Sequence, residues 1–251
     1  MDRNIDIMAF FNTYNRAAIA FSGGVDSSYL LYAAKQAGAD VTAYYVKSQF
    51  QPDFELADAE TIAEQTCAEM KIIEVDVLAD DIVCSNPPDR CYYCKQHIMA
   101  AICKAAAADG YTLICDGTNA SDEVDDRPGF KALQEYGIRS PLRDCGLTKT
   151  AIRERAREAG LPVWNKPAYA CLATRIPAGE RITADKLERT EKAESALFEM
   201  GFRDFRVRMR GDAALVQIAA AQYGEAIEKA DRIREAIGGM YSSVSIDDKT
   251  R

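Results

Sequence analysis

The sequence predicts an α/β protein, with a doubly wound parallel sheet over residues 1–175 and a smaller α/β domain over residues 176–251. Three observations carry that prediction. Short apolar runs alternate with stretches of helical spacing through the first domain, which is the pattern of parallel strands joined by crossover helices. A turn rich in glycine and serine sits where the first run gives way to the first helical stretch, in a fold class that gathers ligands at the C-terminal ends of its strands. Near Ile182 the texture changes to a helix, two adjacent strands, another helix and a last strand, a small unit of its own. The chain has 251 residues, 48% of them hydrophobic, which is enough to bury a core and argues against disorder.

Residues 17–21 form an apolar run suited to a buried strand, and residues 28–35 continue with the 3.6-residue spacing of a packed helix. Residues 41–46 read as the second strand, 54–70 as a helix with acids at its start, and 71–77 as the third strand. A helix over 95–108 precedes residues 112–119, a strand whose C-terminal end opens into a polar loop. Thr148 is placed to cap a helix that runs through Arg153 and Arg157 to Gly160, where Pro162 enforces the stop. In the second domain a helix begins near Ile182, strands occupy 205–209 and 214–218, and a final strand lies around 243–246.

Charge and cysteine usage narrow the function. Lys and Arg number 31 against 39 Asp and Glu, a net charge of −8, which argues against a broad nucleic-acid or membrane-surface footprint and favours small-molecule chemistry. The polar start Met1-Asp2-Arg3-Asn4-Ile5-Asp6 precedes an apolar stretch too short and interrupted for a signal peptide or membrane span, so a cytoplasmic location is expected. The eight cysteines are then expected to stay reduced, as metal ligands, redox groups or core packing.

The glycine-rich turn is Ser22-Gly23-Gly24-Val25-Asp26-Ser27-Ser28, which reads as a pyrophosphate cradle. At a helix N-terminus unpaired N–H groups and the helix dipole attract anionic oxygens, and glycines let phosphates approach the backbone. The hydroxyls of Ser22, Ser27 and Ser28 can add donors. A Walker loop is excluded, because the terminal Gly-Lys-Ser/Thr is missing. Downstream, Asp122-Glu123-Val124-Asp125-Asp126-Arg127-Pro128-Gly129 follows the strand ending at Asp116, so it is read as a magnesium or substrate contact, with Glu123 as a substrate ligand; a solvated acidic loop fits the same composition.

Spacing sorts the cysteines. Cys67, Cys103 and Cys115 lie in apolar or helical surroundings and are read as small core fillers, while Cys84 and Cys145 are ambiguous. Cys91-Tyr92-Tyr93-Cys94 follows the rigid lead Asn86-Pro87-Pro88-Asp89-Arg90, which would hold the pair near one end of a helix as two ligands of one metal centre. Two thiolates do not complete a zinc or iron–sulfur site, so a further ligand is needed. Cys171 is the candidate, with Arg175 four residues on to favour its thiolate or hold an anionic substrate. A structural zinc with His97 as fourth ligand is the alternative, although His97 also reads as a helix-surface side chain. Arg206 and Arg208 alternate on one strand face and can grip a phosphate together; an ordinary edge face paired with acids such as Glu194 explains them equally well.

The 22–28 loop resembles the SGGxDS loop of the ATP pyrophosphatase superfamily, whose members split ATP into AMP and pyrophosphate. Together with the 86–95 segment, Asp116-Gly117-Thr118-Asn119, Asp126-Arg127-Pro128-Gly129, Ser140-Pro141-Leu142 and the 160–175 segment, the chain resembles the LarE family over nearly its whole length. That resemblance implies a PP-loop domain of the adenine nucleotide α-hydrolase type and an ATP-dependent sulfur transferase that turns the ring carboxylates of pyridinium-3,5-biscarboxylic acid mononucleotide into thiocarboxylates for the nickel-pincer cofactor. It implies ATP at Ser22, Gly23, Gly24, Asp26, Ser27 and Ser28, with Mg2+ on the phosphates. Asp26, Cys91, Cys94 and Cys171 become the catalytic set, the three cysteines holding a 4Fe-4S cluster resupplied by an external sulfide source. In another form of the family the match of Cys171 is itself the sacrificed sulfur donor. The resemblance also implies a phosphate place at Arg206, Arg208 and Glu194 and a homo-oligomer, trimer or hexamer. Thr174 stands where serine is expected, which bears on the placement of Arg175. Rival readings are a tRNA thiolase of the same superfamily, an amide-forming synthetase using ammonia, and a nucleotide-responsive metal-binding protein without turnover.

Overall fold

A computed structural model describes residues 6–123 and 128–251. The polar residues 1–5 and the acidic-loop residues Val124, Asp125, Asp126 and Arg127 lie outside the described residues. The chain forms two compact units, one built from residues up to Asp76 and from Asp89–Ala168, the other from Val77–Pro88 and Tyr169–Arg251.

In chain order the first unit opens with α1 (Ile7–Thr13), β1 (Arg16–Phe21), α2 (Val25–Gln36), β2 (Asp40–Lys47), α3 (Asp53–Gln65) and β3 (Glu69–Glu74). The chain passes through α4 (Asp81–Cys84) in the second unit and returns as α5 (Arg90–Ala108), β4 (Ile114–Cys115), α6 (Pro128–Glu135), α7 (Pro141–Asp144) and α8 (Lys149–Glu158). The four strands pair in parallel in the order β3-β2-β1-β4. Both faces of the sheet are covered. Ala17, Ile19 and Phe21 pack with Leu30, Leu31, Ile62 and Ile152, while Ala18, Tyr44 and Val46 pack with Met99, Ile102 and Leu133. A strand buried on both faces has no polar alternation to offer, which is why β1 reads as a plain apolar run.

The strand order fixes where a ligand belongs. From β1 the chain moves to β2 and β3 on one side and reaches β4 on the other, so the order reverses at the C-terminal end of β1. The 22–28 turn lies at that end.

The observed elements differ from the sequence reading in places with physical causes. The third strand starts at Glu69, because α3 ends at Gln65 and Cys67 takes a left-handed turn, φ 50°. That turn leaves Cys67 exposed, so it is not a core filler. Cys115, at 0% exposure on β4, is one, and burial pushes its thiol up to about 12. The helix expected from residue 95 begins at Arg90, which puts both cysteines of the 91–94 pair inside it.

The second unit contains α4, α9 (Ala184–Glu199), β5 (Phe205–Arg210), β6 (Ala213–Ile218), α10 (Ala220–Glu228), α11 (Ala230–Ile237) and β7 (Val244–Ile246). β5 and β6 are antiparallel and β7 runs parallel to β6. The 77–88 segment is stitched to the 176–182 segment, with the Asn86 amide donating to the Pro177 carbonyl at 2.8 Å and the Ile182 N–H to the Cys84 carbonyl at 2.8 Å. Among the described residues no helix is long and apolar enough to cross a membrane.

Candidate active site

The 22–28 turn joins the C-terminal end of β1 to the first turn of α2. α2 begins after Gly24 with no side-chain hydrogen bond capping it, so the N–H groups of its first turn have no side-chain acceptor from the cap. Gly23 has φ +69°, and a Cβ there would stand 3.1 Å from the Ala59 Cα and 3.2 Å from its nitrogen on α3. Only glycine meets both demands without strain. The loop is braced across its mouth by the hydroxyls of Ser22 and Ser27, 3.1 Å apart, with the Ser27 hydroxyl also 3.2 Å from the Gly24 carbonyl that accepts its proton. Ser28 is fully buried, and its hydroxyl has no hydrogen-bond partner among the described residues.

The loop after β4 is pressed onto this turn. A Cβ on Gly117 would meet the Ser27 nitrogen at 2.8 Å and its Cα at 3.1 Å, so the absence of a side chain there lets two backbones touch. Asp116 is buried and receives the Ser140 hydroxyl at 2.6 Å and the Thr118 hydroxyl at 2.5 Å. Asn119, also buried, donates its amide to Asp26 Oδ1 at 3.5 Å, and the Asn119 N–H donates to Asp122 Oδ2 at 2.9 Å. Glu123 is exposed at the last described position before the gap. Lys149, the first residue of α8, reaches the other Asp26 oxygen at 2.5 Å. Burial raises the Asp26 carboxyl above its ordinary range, and the Lys149 ammonium opposes that. The sequence does not single out Lys149 and gives Asn119 only within the 116–119 motif, since each meets Asp26 only through the fold.

The thiols divide between the units. Cys91 and Cys94 occupy the first turn of α5 at the i, i+3 spacing that places two side chains on one face, a fit for two ligands of one centre. Cys91 is exposed, and the Arg90 guanidinium donates to its sulfur at 3.7 Å. His97 is exposed further along the same helix, in keeping with a surface role. Among the described residues no group of three His, Cys, Asp or Glu side chains gathers closely enough to hold a metal ion.

Cys171 lies in the second unit, partly exposed, just before a single 3-10 turn, Leu172–Arg175. Its carbonyl accepts the Thr174 hydroxyl at 2.8 Å, and the Arg175 Nη1 donates to the Ala170 and Cys171 carbonyls and to the Thr174 hydroxyl. The threonine therefore does the hydroxyl's work. The rest of the Arg175 guanidinium forks onto Glu194, Nε to Oε1 at 2.8 Å and Nη2 to Oε2 at 2.9 Å, with side-chain exposures of 0% and 2%. Tyr169 lies under the guanidinium and donates its hydroxyl to Glu194, whose Oε1 also accepts the Val207 N–H at 2.9 Å. Burial works against the Arg175 charge, and Glu194 outweighs it, raising the guanidinium's pKa. Arg175 and Glu194 thus satisfy each other and fix the backbone of Cys171.

Arg206 and Arg208 project from the half-buried face of β5. Arg208 is held by the Thr174 carbonyl at 2.9 Å and by Gln217 at 2.5 Å. Arg206 makes no such bond among the described residues. Burial first, and then like-charged neighbours, lower the pKa of both, so an added anion here would relieve cationic repulsion. The like-charged neighbours include Arg175 and Arg251 for both, with Arg210 beside Arg208.

Residues 16–85 match the family model of the queuosine biosynthesis protein QueC, which covers the phosphate turn and the strands around it. Over 244 residues, 96% of this chain and 88% of the relative, the sequence is 34% identical to the pyridinium-3,5-bisthiocarboxylic acid mononucleotide synthase of Lactiplantibacillus plantarum. The chain belongs to the LarE family. A match of 34% identity over 89% of the chain and 84% of the relative is also found to an uncharacterized protein of Synechocystis. A tRNA-specific 2-thiouridylase of Clostridium botulinum is a more distant match, at 26% identity over 59% of this chain and 51% of that protein.

Proposed function

We propose that this chain is an ATP-dependent sulfur transferase that adenylates the carboxylates of pyridinium-3,5-biscarboxylic acid mononucleotide and converts them to thiocarboxylates. The observation that carries the reading is the end-to-end similarity to a synthase of that product's name, over 96% of the chain. A carboxylate is a poor electrophile. Attack of one of its oxygens on the α-phosphorus of ATP releases pyrophosphate and gives an acyl adenylate, whose carbonyl carbon a sulfur nucleophile can attack with loss of AMP. The turn at Ser22, Gly23, Gly24, Ser27 and Ser28 binds the phosphates through backbone N–H groups and hydroxyls, and the Asp26 carboxylate would hold the Mg2+ that screens their charge. Arg206 and Arg208 bind the phosphate of the mononucleotide. A homo-oligomer is part of the same reading.

For sulfur delivery we favour Cys91, Cys94 and Cys171 as a shared ligand set. A 4Fe-4S cluster on three thiolates supplies, when bound, a coordination position for a transferable sulfide. The pair on the first turn of α5 fits two of those ligands; Cys171 belongs to the other unit, held in place by Arg175 and Thr174. Thiolation of tRNA is disfavoured by the net charge of −8.

The test is an anaerobic preparation reconstituted with iron and sulfide, assayed with ATP, Mg2+ and the mononucleotide. Thiocarboxylate should accumulate over many turnovers, with bound iron lost in each of Cys91→Ala, Cys94→Ala and Cys171→Ala. A single turnover that leaves dehydroalanine at position 171 would instead make Cys171 the donor. No thiocarboxylate under any condition would remove the proposed function.

A further inference from the structure

We infer that Lys149 exchanges partners when ATP binds, its ammonium moving from Asp26 to the β- and γ-phosphates, so that it serves as the side-chain cation of the phosphate site. This rests on the nucleotide reading of the 22–28 turn and adds a residue to it.

Four observations converge. The Lys149 ammonium reaches across 123 residues of sequence to Oδ2 of Asp26, which stands in the first turn of α2. It therefore already sits at the mouth of the turn where phosphate oxygens would lie. The pair is mostly buried but not sealed from water, with side-chain exposures of 35% and 23%, so a multiply charged anion can reach the ammonium and compete with the carboxylate for it. The root of the side chain is fixed. The Lys149 N–H donates to the Ser121 hydroxyl at 3.0 Å and the Ala120 N–H to the Leu147 carbonyl at 2.8 Å, which ties the start of α8 to the loop that Gly117 packs against Ser27. An exchange then needs only rotation of a flexible four-carbon stem.

The fourth observation is that the other cation near Asp26 is not available for this. Arg153, one turn along α8, donates to the carbonyls of Trp164 and Lys166 at 2.8 Å each. The phosphate loop itself contains no basic residue, unlike a Walker loop, whose own lysine reaches the β- and γ-phosphates. Lys149 supplies that charge from a distant helix. Its departure also uncovers the Asp26 carboxylate at the moment Mg2+ arrives with ATP.

Calorimetric titration of the full chain with ATP, inorganic pyrophosphate and AMP, each with Mg2+, tests the inference on wild type, Lys149→Met and Lys149→Arg. The methionine variant should lose about tenfold to a hundredfold in affinity for ATP and pyrophosphate, the range for one charge-assisted hydrogen bond. Its AMP affinity should change by less than about threefold, which also reports that the variant is folded, and the arginine variant should recover most of the loss. Unchanged affinities in the methionine variant overturn the inference. So does an AMP loss equal to the ATP loss, which would make Lys149 only a prop for Asp26. If wild type binds neither ATP nor pyrophosphate, the nucleotide reading fails and takes the inference with it.

Discussion

Gly117→Ala should abolish or severely weaken ATP binding in a chain that still folds. The added methyl would lie 2.8 Å from the Ser27 nitrogen and 3.1 Å from its Cα, both backbone atoms at the start of α2. Nothing flexible is there to give way. Either the 116–119 loop lifts or the first turn of α2 shifts, at a strain of about 1–3 kcal/mol. The strain falls on the turn that carries Ser27 and on the loop that brings Asn119 to Asp26. We expect a loss in ATP affinity of about tenfold or more, read by calorimetry, with the far-ultraviolet circular dichroism unchanged. An alanine variant that binds ATP like wild type would mean that the close approach of the two backbones has no part in forming the site.

Arg175→Met should be the most destabilising single change in the second unit. Among the described residues it leaves the Glu194 carboxylate, 2% exposed, with only the Tyr169 hydroxyl and the Val207 N–H as partners. Removing one member of a buried ion pair costs about 3–5 kcal/mol, because the other charge stays buried without compensation. The double variant Arg175→Met/Glu194→Gln should regain part of that stability, since the stranded charge is gone. Denaturant unfolding of the three proteins, followed by a probe in the second unit, measures both effects. A single variant as stable as wild type would show that the pair contributes little. The same substitution should slow thiocarboxylate formation, because Arg175 also holds the carbonyls of Ala170 and Cys171.

Much of this was legible in the sequence wherever the chemistry is local. The phosphate turn announces itself because strand, glycines, hydroxyls and helix fall within a few residues, and the 91–94 pair because its spacing is that of one helical turn. What stayed hidden arises from topology. Lys149 looks like an ordinary helix-start lysine until β4 and α8 bring it to Asp26. Arg175 and Glu194 read from the sequence as charges for a substrate, since nothing local marks a guanidinium as fully buried; the fold pairs them with each other. Cys67 read as core because its neighbours are apolar, but the left-handed turn that ends α3 faces it to solvent. The start of β3 slipped by two residues for the same reason, a turn marked by a non-glycine residue at positive φ.

The central claim is that this chain activates a carboxylate with ATP so that sulfur can replace oxygen. The most direct measurement uses pyridinium-3,5-biscarboxylic acid mononucleotide labelled with oxygen-18 in its carboxylates and follows the label by mass spectrometry. Adenylation joins a carboxylate oxygen to the α-phosphorus, and attack by sulfur breaks the bond from that oxygen to carbon. One labelled oxygen should appear in AMP for each thiocarboxylate formed, and none in pyrophosphate. Labelled inorganic phosphate with ADP, or AMP formed without label, would contradict the claim.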